Sequence, residues 1–253
     1  VLSKRKDALL EYANRGQDGL VSIGGGARDL TWRYIQAIAS LVIHLHVDTR
    51  DAMGANMVNT MCERVSTLMP SLFPCDIGLR ILTNLCDERR SRAQCRIPAE
   101  VFNCPEFDGH QVVDRIVKAW EFAWHDVYRA TTNNKGVMNG IDPVVIATGN
   151  DWRAVEAGVH AWAARSGTYR PLTKWMKTPD GNLFGELELP LHLLDGRAGF
   201  GLINHPWLWH RKTSFSAKCL VTGTQLTGYP RWRGTARSVP PALPGRPRSA
   251  PGR

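Results

Sequence analysis

Residues 128–158 constrain this chain of 253 residues more than any other stretch. They read Tyr-Arg-Ala-Thr-Thr-Asn-Asn-Lys-Gly-Val-Met-Asn-Gly-Ile-Asp-Pro, then Val-Val-Ile-Ala-Thr-Gly-Asn-Asp-Trp-Arg-Ala-Val-Glu-Ala-Gly. Lys135 stands in a polar, Gly/Asn-rich turn between apolar flanks, and Asp151 starts a helix after a Gly-Asn turn. A lysine held beside a carboxylate in a partly buried site stays charged and immobile, as stabilisation of a developing alkoxide requires. Spacing alone points more often to a surface ion pair of small value.

Around this stretch the pattern mixes short strands with helices. Lys4–Asn14 reads as an amphipathic helix with Leu9, Leu10 and Tyr12 apolar between charges. Gln17–Gly26 reads as a strand running into a glycine triplet, which permits a tight turn and close backbone approach. The triplet is no Gly-x-Gly-x-x-Gly fingerprint and opens no β-α-β unit; a plain hairpin turn fits it equally well. Ile43–Asp48 alternates, with Ile43, Leu45 and Val47 on one face and His44, His46 and Asp48 on the other. Two histidines so placed can hold a metal, but more commonly line a solvated face.

A helix follows Asp48–Asp51 to about Leu68, before Pro70, with Met53, Met57 and Met61 at four-residue spacing as core. Asp51 falls in its first turn, and Gly54 lets a ligand approach backbone N–H groups at the positive helix end. Leu79–Leu85 reads as a strand and Arg89–Gln94 as a charged helical crossing to a second domain. Gln111–Trp124 has Val112, Val113, Ile116, Val117, Trp120 and Ala123 at helical spacing. Val144–Ala147 fits strand or helix by periodicity. Asp151–Arg165 reads as a helix ended by Gly167, and Leu172–Met176 with Leu183–Leu189 as a hairpin turning at Pro179–Asn182.

The net charge of +9 suggests an acidic partner until it is divided. Residues 196–253 carry ten Lys/Arg and no Asp or Glu, leaving 22 basic and 23 acidic residues before them, or −1. The basicity belongs to the tail, whose last 25 residues hold six Pro and six Arg and read as lacking regular structure. Six cysteines without a Cys-x-x-Cys pair point to reduced thiols and to no metal site. No apolar run approaches the roughly 18 residues of a membrane span.

Tyr128–Pro143 and Ala147–Gly158 together closely resemble the bacterial (class II) 3-hydroxy-3-methylglutaryl-coenzyme A (HMG-CoA) reductase family. His46–Met61, with Asp51-Ala-Met-Gly54 inside it, is similar to that family's dinucleotide motif. The likeness runs from about Asp18 to Leu191. It implies a non-Rossmann α+β / α/β fold, with a ferredoxin-like cofactor domain inserted in a larger mixed α/β substrate domain threaded by a long central helix. Val144–Ala147 then belongs to a helix. The implied division is 1–86 as the NAD-binding small domain, 87–191 as part of the substrate domain and 192–253 as a disordered or unrelated tail.

By the same resemblance, Lys135 polarises the thioester carbonyl, Asp151 tunes that lysine, Arg129 takes the substrate carboxylate and Asn139 is a further site residue. Asp51, Met53, Gly54 and Asn84 lie around the nicotinamide dinucleotide, and Asp18 contacts the adenosine ribose. A carboxylate there favours a 2′-OH, hence NAD over NADP. The implied reaction is two hydride transfers between NAD(H) and HMG-CoA, giving mevalonate and free coenzyme A. The implied enzyme is a cytoplasmic homodimer or higher oligomer with interfacial active sites, and has no membrane or nucleic-acid partner.

Two further family groups, a glutamate before the cofactor domain and a histidine near the C-terminus, find no counterpart. The chain starts inside the cofactor domain without Met, and His192, His205 and His210 lie where the likeness has ended. An inactive fragment or pseudoenzyme is therefore an alternative reading, and an out-of-frame tail accounts for the abrupt change after Leu191. A binder of acidic surfaces or nucleic acid through the tail is the reading from another class.

Overall fold

The computed structural model describes residues 1–52, 54–191 and 193, and the backbone of 217–224. The first part comprises helices α1 (Leu2–Asn14) and α2 (Asp18–Ser22), strands β1 (Gly26–Ile35) and β2 (Ser40–Asp48), helices α3 (Ala55–Ser66) and α4 (Met69–Leu72), and strand β3 (Asp76–Leu82). Strand β4 (Arg90–Ile97) leads to helices α5 (Gly109–His125), α6 (Val127–Ala147) and α7 (Trp152–Ala163). Strands β5 (Thr173–Lys177), β6 (Leu183–Pro190) and β7 (Ala217–Thr224) complete the described elements. One sheet runs β1-β2-β7-β3 and the other β4-β6-β5. Every pairing among the described strands is antiparallel, so the parallel β-α-β unit of a Rossmann site is not among them.

The first sheet is roofed by α1 and α3. Leu9 and Ala13 of α1, Val58, Met61 and Val65 of α3, and Leu30, Ile43, Leu45 and Val47 of the sheet form one buried cluster. Each fully buried aliphatic side chain there contributes about 1.5–3 kcal/mol relative to exposure. The alternation of β2 therefore holds, but its second face is not solvated. His46 is buried, its Nδ1 lying 2.9 Å from Glu88 Oε1 and its Nε2 2.9 Å from Thr31 Oγ1.

Five local expectations are corrected. Gln17–Gly26 contains the helix α2, not a strand: Leu20 is buried, and the glycines close the helix end through Gly25 N–H to Leu20 C=O at 2.8 Å. Gly24 and Gly26 have φ of +79° and +107°, a region that strains a side-chain-bearing residue. Arg89–Gln94 is no helical crossing but the start of β4, because Arg90, Arg92 and Arg96 alternate along it and pair with Glu188, Glu186 and Asp180. The six-thiol reading holds for Cys75, Cys86, Cys95 and Cys104, whereas Cys62 is disulfide-bonded. Within the tail read as disordered or unrelated, residues 217–224 supply β7; apart from Leu193, the rest of that tail lies outside the described residues.

The fifth correction matters most. The polar Gly/Asn-rich turn around Lys135 is the middle of α6, 21 residues long. Asp126 caps it by accepting from Arg129 N–H at 2.7 Å, which satisfies one of the unpaired donors of a helix start. Ala130, Asn134, Met138 and Val145 form its buried stripe. Packing of that stripe outweighs about 1 kcal/mol of propensity lost at each glycine. Pro143 sits inside the helix and has no N–H to return to the carbonyl of Asn139. The expected α5, α7 and β5–β6 hairpin are all present, and Asp151 is the N-cap of α7, accepting from Ala154 N–H at 3.1 Å.

Candidate functional site

Two of the predicted clusters can be built residue by residue. The first is the loop between β2 and α3. Asp48 Oδ1 accepts from Arg50 N–H at 3.0 Å, which turns the chain so that Arg50 takes φ of +53°. The Arg50 guanidinium donates back to the Gly24 carbonyl, tying this loop to the end of α2. The Ala52 carbonyl accepts twice at 3.0 Å, from Thr49 Oγ1 and from Arg89 Nη1. Arg89 is buried, and its Nη2 also donates to the Leu193 carbonyl at 2.6 Å. Burial draws its guanidinium below the ordinary value, while Cys86, Asp51 and Asp48 oppose that shift.

Gly54 ends the loop as N-cap of α3 with φ of +86° and no side-chain cap. Among the described residues no side chain caps the first-turn N–H groups of α3, and they carry the positive end of the helix dipole. Asp51 lies in the turn four residues before α3 rather than in its first turn. Met53 lies outside the described residues. Asp18 is exposed at the start of α2, and Asn84 is exposed after β3. The Asn84 carbonyl faces α7 so closely that a Cβ on Gly158 would stand 2.5 Å from it.

The second cluster lies on α6. Lys135 and Asn139, one turn apart, share an exposed face of the helix, and Arg129 lies half-buried in its first turn. The side chain that orients this face is Asn134, to which the sequence reading gave no role of its own. It is fully buried; its Nδ2 donates to the Arg170 carbonyl at 2.9 Å and its Oδ1 accepts from Leu172 N–H at 2.8 Å. Four-residue spacing with Ala130 and Met138 was the available signal.

Lys135 and Asp151 are both exposed, and among the described residues no ion pair joins them. Lys135 lies 12 residues before the end of α6 at Ala147, about 18 Å of helical rise, whereas Asp151 starts the next helix. The expected partly buried pair is thus not formed within this chain. Each residue is nonetheless held on a rigid element, Lys135 beside the anchored Asn134 and Asp151 at a satisfied cap.

The family described as Hydroxymethylglutaryl-coenzyme A reductase matches residues 1–200. The 3-hydroxy-3-methylglutaryl-coenzyme A reductase of Archaeoglobus fulgidus is 44% identical over 190 residues, covering 74% of this chain and 42% of that protein. A solved 3-hydroxy-3-methylglutaryl-coenzyme A reductase from Streptococcus pneumoniae superposes with a TM-score of 0.73 at 42% identity, over 76% of this chain and 46% of its own. A class II structure from the same organism, bound to NADPH in open conformations, gives 0.74 at 41% identity over 78% and 49%. The chain spans about half the length of these relatives, shares their mixed α/β fold, and belongs to the hydroxymethylglutaryl-coenzyme A reductase family.

Proposed function

We propose that this chain supplies the nicotinamide-binding loop and the lysine helix of an enzyme interconverting HMG-CoA with mevalonate and coenzyme A. The observation that carries this reading is the exposed Lys135–Asn139 face of α6, set on a buried asparagine anchor within the segment matched by the family. An exposed ammonium on a rigid helix is suited to polarising a thioester carbonyl and holding the oxyanion that develops on it. Arg129, six residues earlier, is suited to a bidentate grip on the substrate carboxylate. Asn139 offers an amide on the lysine's own face, and Asp151 a carboxylate whose position is set by its cap.

The groups around Gly54 fit a nicotinamide dinucleotide. The start of α3 at Gly54 and the Asp51 carboxylate present donors and a negative charge on one loop, which the Thr49 and Arg89 bonds to the Ala52 carbonyl brace. When bound, that cofactor supplies hydride; the loop binds and orients it. Asp18 speaks for an unphosphorylated ribose and NAD, whereas a neighbour 41% identical binds NADPH; NADPH is the cofactor we favour. The architecture we propose is a ferredoxin-like cofactor part within a larger substrate part. The separation of Lys135 from Asp151 supports a homodimer in which a second copy completes the site.

The test is HMG-CoA-dependent oxidation of NADPH and NADH by the chain and by Lys135→Ala and Asp151→Asn. Asparagine keeps the α7 cap, so that variant changes charge without unravelling the helix. Turnover is expected to fall by about 10²–10⁴ in each. Equal rates in wild type and variants, or no turnover by the wild-type chain, count against the reading.

A further inference from the structure

Asp142 lies seven residues beyond Lys135 on α6, which is two helical turns and on the same side. Its carboxyl stands against that of Glu156 on α7, within reach of a hydrogen bond once one of the two is protonated. Its Oδ1 is buried and receives no donor among the described residues. Glu156 Oε2 in turn stands 2.6 Å from Nε2 of His160, one turn further along α7. His160 Nδ1 lies 2.7 Å from the Tyr169 hydroxyl, and the two rings stack 6.0 Å apart. Four titratable groups from α6, α7 and the following loop thus form one chain of contacts, none of it used by the mechanism above.

Two carboxyl groups in contact cannot both ionise without repulsion, and one proton between them converts that repulsion into a strong hydrogen bond. The buried oxygen decides where the proton sits. A carboxylate oxygen without a donor is costly to bury, and a neutral acid far less so. Asp142 therefore holds the proton, and Glu156 carries the charge that the His160 Nε2–H meets. The charged groups acting on Asp142 are Glu156 and His160, both on α7. Glu186 and Glu188 of the adjoining β6 are engaged by Arg92 and Arg90, and Arg165 stacks on Trp162.

We propose that Asp142 and Glu156 share one proton and act as a pH-sensitive clamp between α6 and α7, positioning the helix of Lys135 against the helix that Asp151 starts. The consequence for catalysis rests on the function proposed above; the clamp itself does not. Burial first, and then the Glu156 hydrogen bond and charge, push the Asp142 carboxyl up to about 6, with His160 opposing. The folded chain keeps a proton that an unfolded aspartic acid releases near 3.8. The clamp is therefore complete at low pH and is lost as pH rises through about 6.

Amide hydrogen exchange of α6 and α7 in the full chain tests this between about pH 5 and about pH 8, corrected for intrinsic exchange. Wild type should lose about tenfold in protection of both helices as pH rises. Asp142→Asn, whose amide donates to Glu156 without titrating, should hold its protection constant. Glu156→Gln, whose amide donates to Asp142, should do the same and serves if the first variant does not fold. An infrared band for a protonated carboxyl should be present at the lower pH in wild type and missing from Asp142→Asn. Variants with the wild-type pH response, or a protonated-carboxyl band that survives Asp142→Asn, overturn the proposal. These readouts need no turnover, so a failed clamp is told apart from a failed reductase reading.

Discussion

Asn134→Ala should be the most damaging single change near the candidate site, and its cost can be worked from the contacts. Asn134 is fully buried, and its amide satisfies the Leu172 N–H at 2.8 Å and the Arg170 carbonyl at 2.9 Å. Alanine leaves both backbone groups without their partner, at about 1–3 kcal/mol for each buried unsatisfied group. Leu172 is buried and takes the upper part of that range, while half-buried Arg170 has access to water and takes the lower part. Lost packing brings the total to about 3–5 kcal/mol, a large share of the roughly 5–15 kcal/mol that holds a domain together. Urea denaturation followed by tryptophan fluorescence should show a lower midpoint with an unchanged slope. A loss below about 1 kcal/mol would refute the reasoning, because those backbone groups must then find other partners. Such a result would also remove the anchor that we hold responsible for the orientation of Lys135.

Two further outcomes follow from the loop and the thiols. Gly54→Ala places a Cβ 2.7 Å from Thr49 Cβ at φ of +86°, which should cost about 1–3 kcal/mol and weaken NADPH binding in an equilibrium titration; unchanged melting and affinity would show that the loop relaxes freely. Burial pushes the Cys86 thiol up to about 11, so iodoacetamide at neutral pH should label exposed Cys95 and Cys104 in the native chain and reach Cys86 only on unfolding. Mass mapping that finds Cys86 labelled as fast as Cys95 would contradict its burial.

Much of the candidate site was legible before any coordinates, because it rests on short motifs read in order. The Asp51–Gly54 and Tyr128–Pro143 stretches fall on the two braced segments described above. What was not legible was which polar residue is buried. Arg89 and Arg90 are neighbours in a run of charges, yet one is enclosed by the Ala52 and Leu193 carbonyls and the other pairs with Glu188 on the surface. Asn133 and Asn134 are likewise chemically identical neighbours, and only the rotation of α6 decides that Asn134 points inward.

The sequence by itself determined the elements whose causes are local. The apolar spacing of Val113, Val117, Trp120 and Ala123 makes α5, the Pro179–Asn182 turn makes the β5–β6 hairpin, and Asp151 caps α7 through its own backbone three residues on. Tertiary structure decided the rest. Glycines and asparagines around Lys135 favour a turn, and only the buried stripe from Ala130 to Val145 makes them a helix. β4 is drawn into a sheet by carboxylates 94 and 98 residues away on β6, and β7 enters the first sheet from still farther along the chain than β2 and β3. Local propensity acts over a few residues and about 1 kcal/mol, so wherever burial or pairing between distant segments exceeds that, the fold is set by partners that no local window contains.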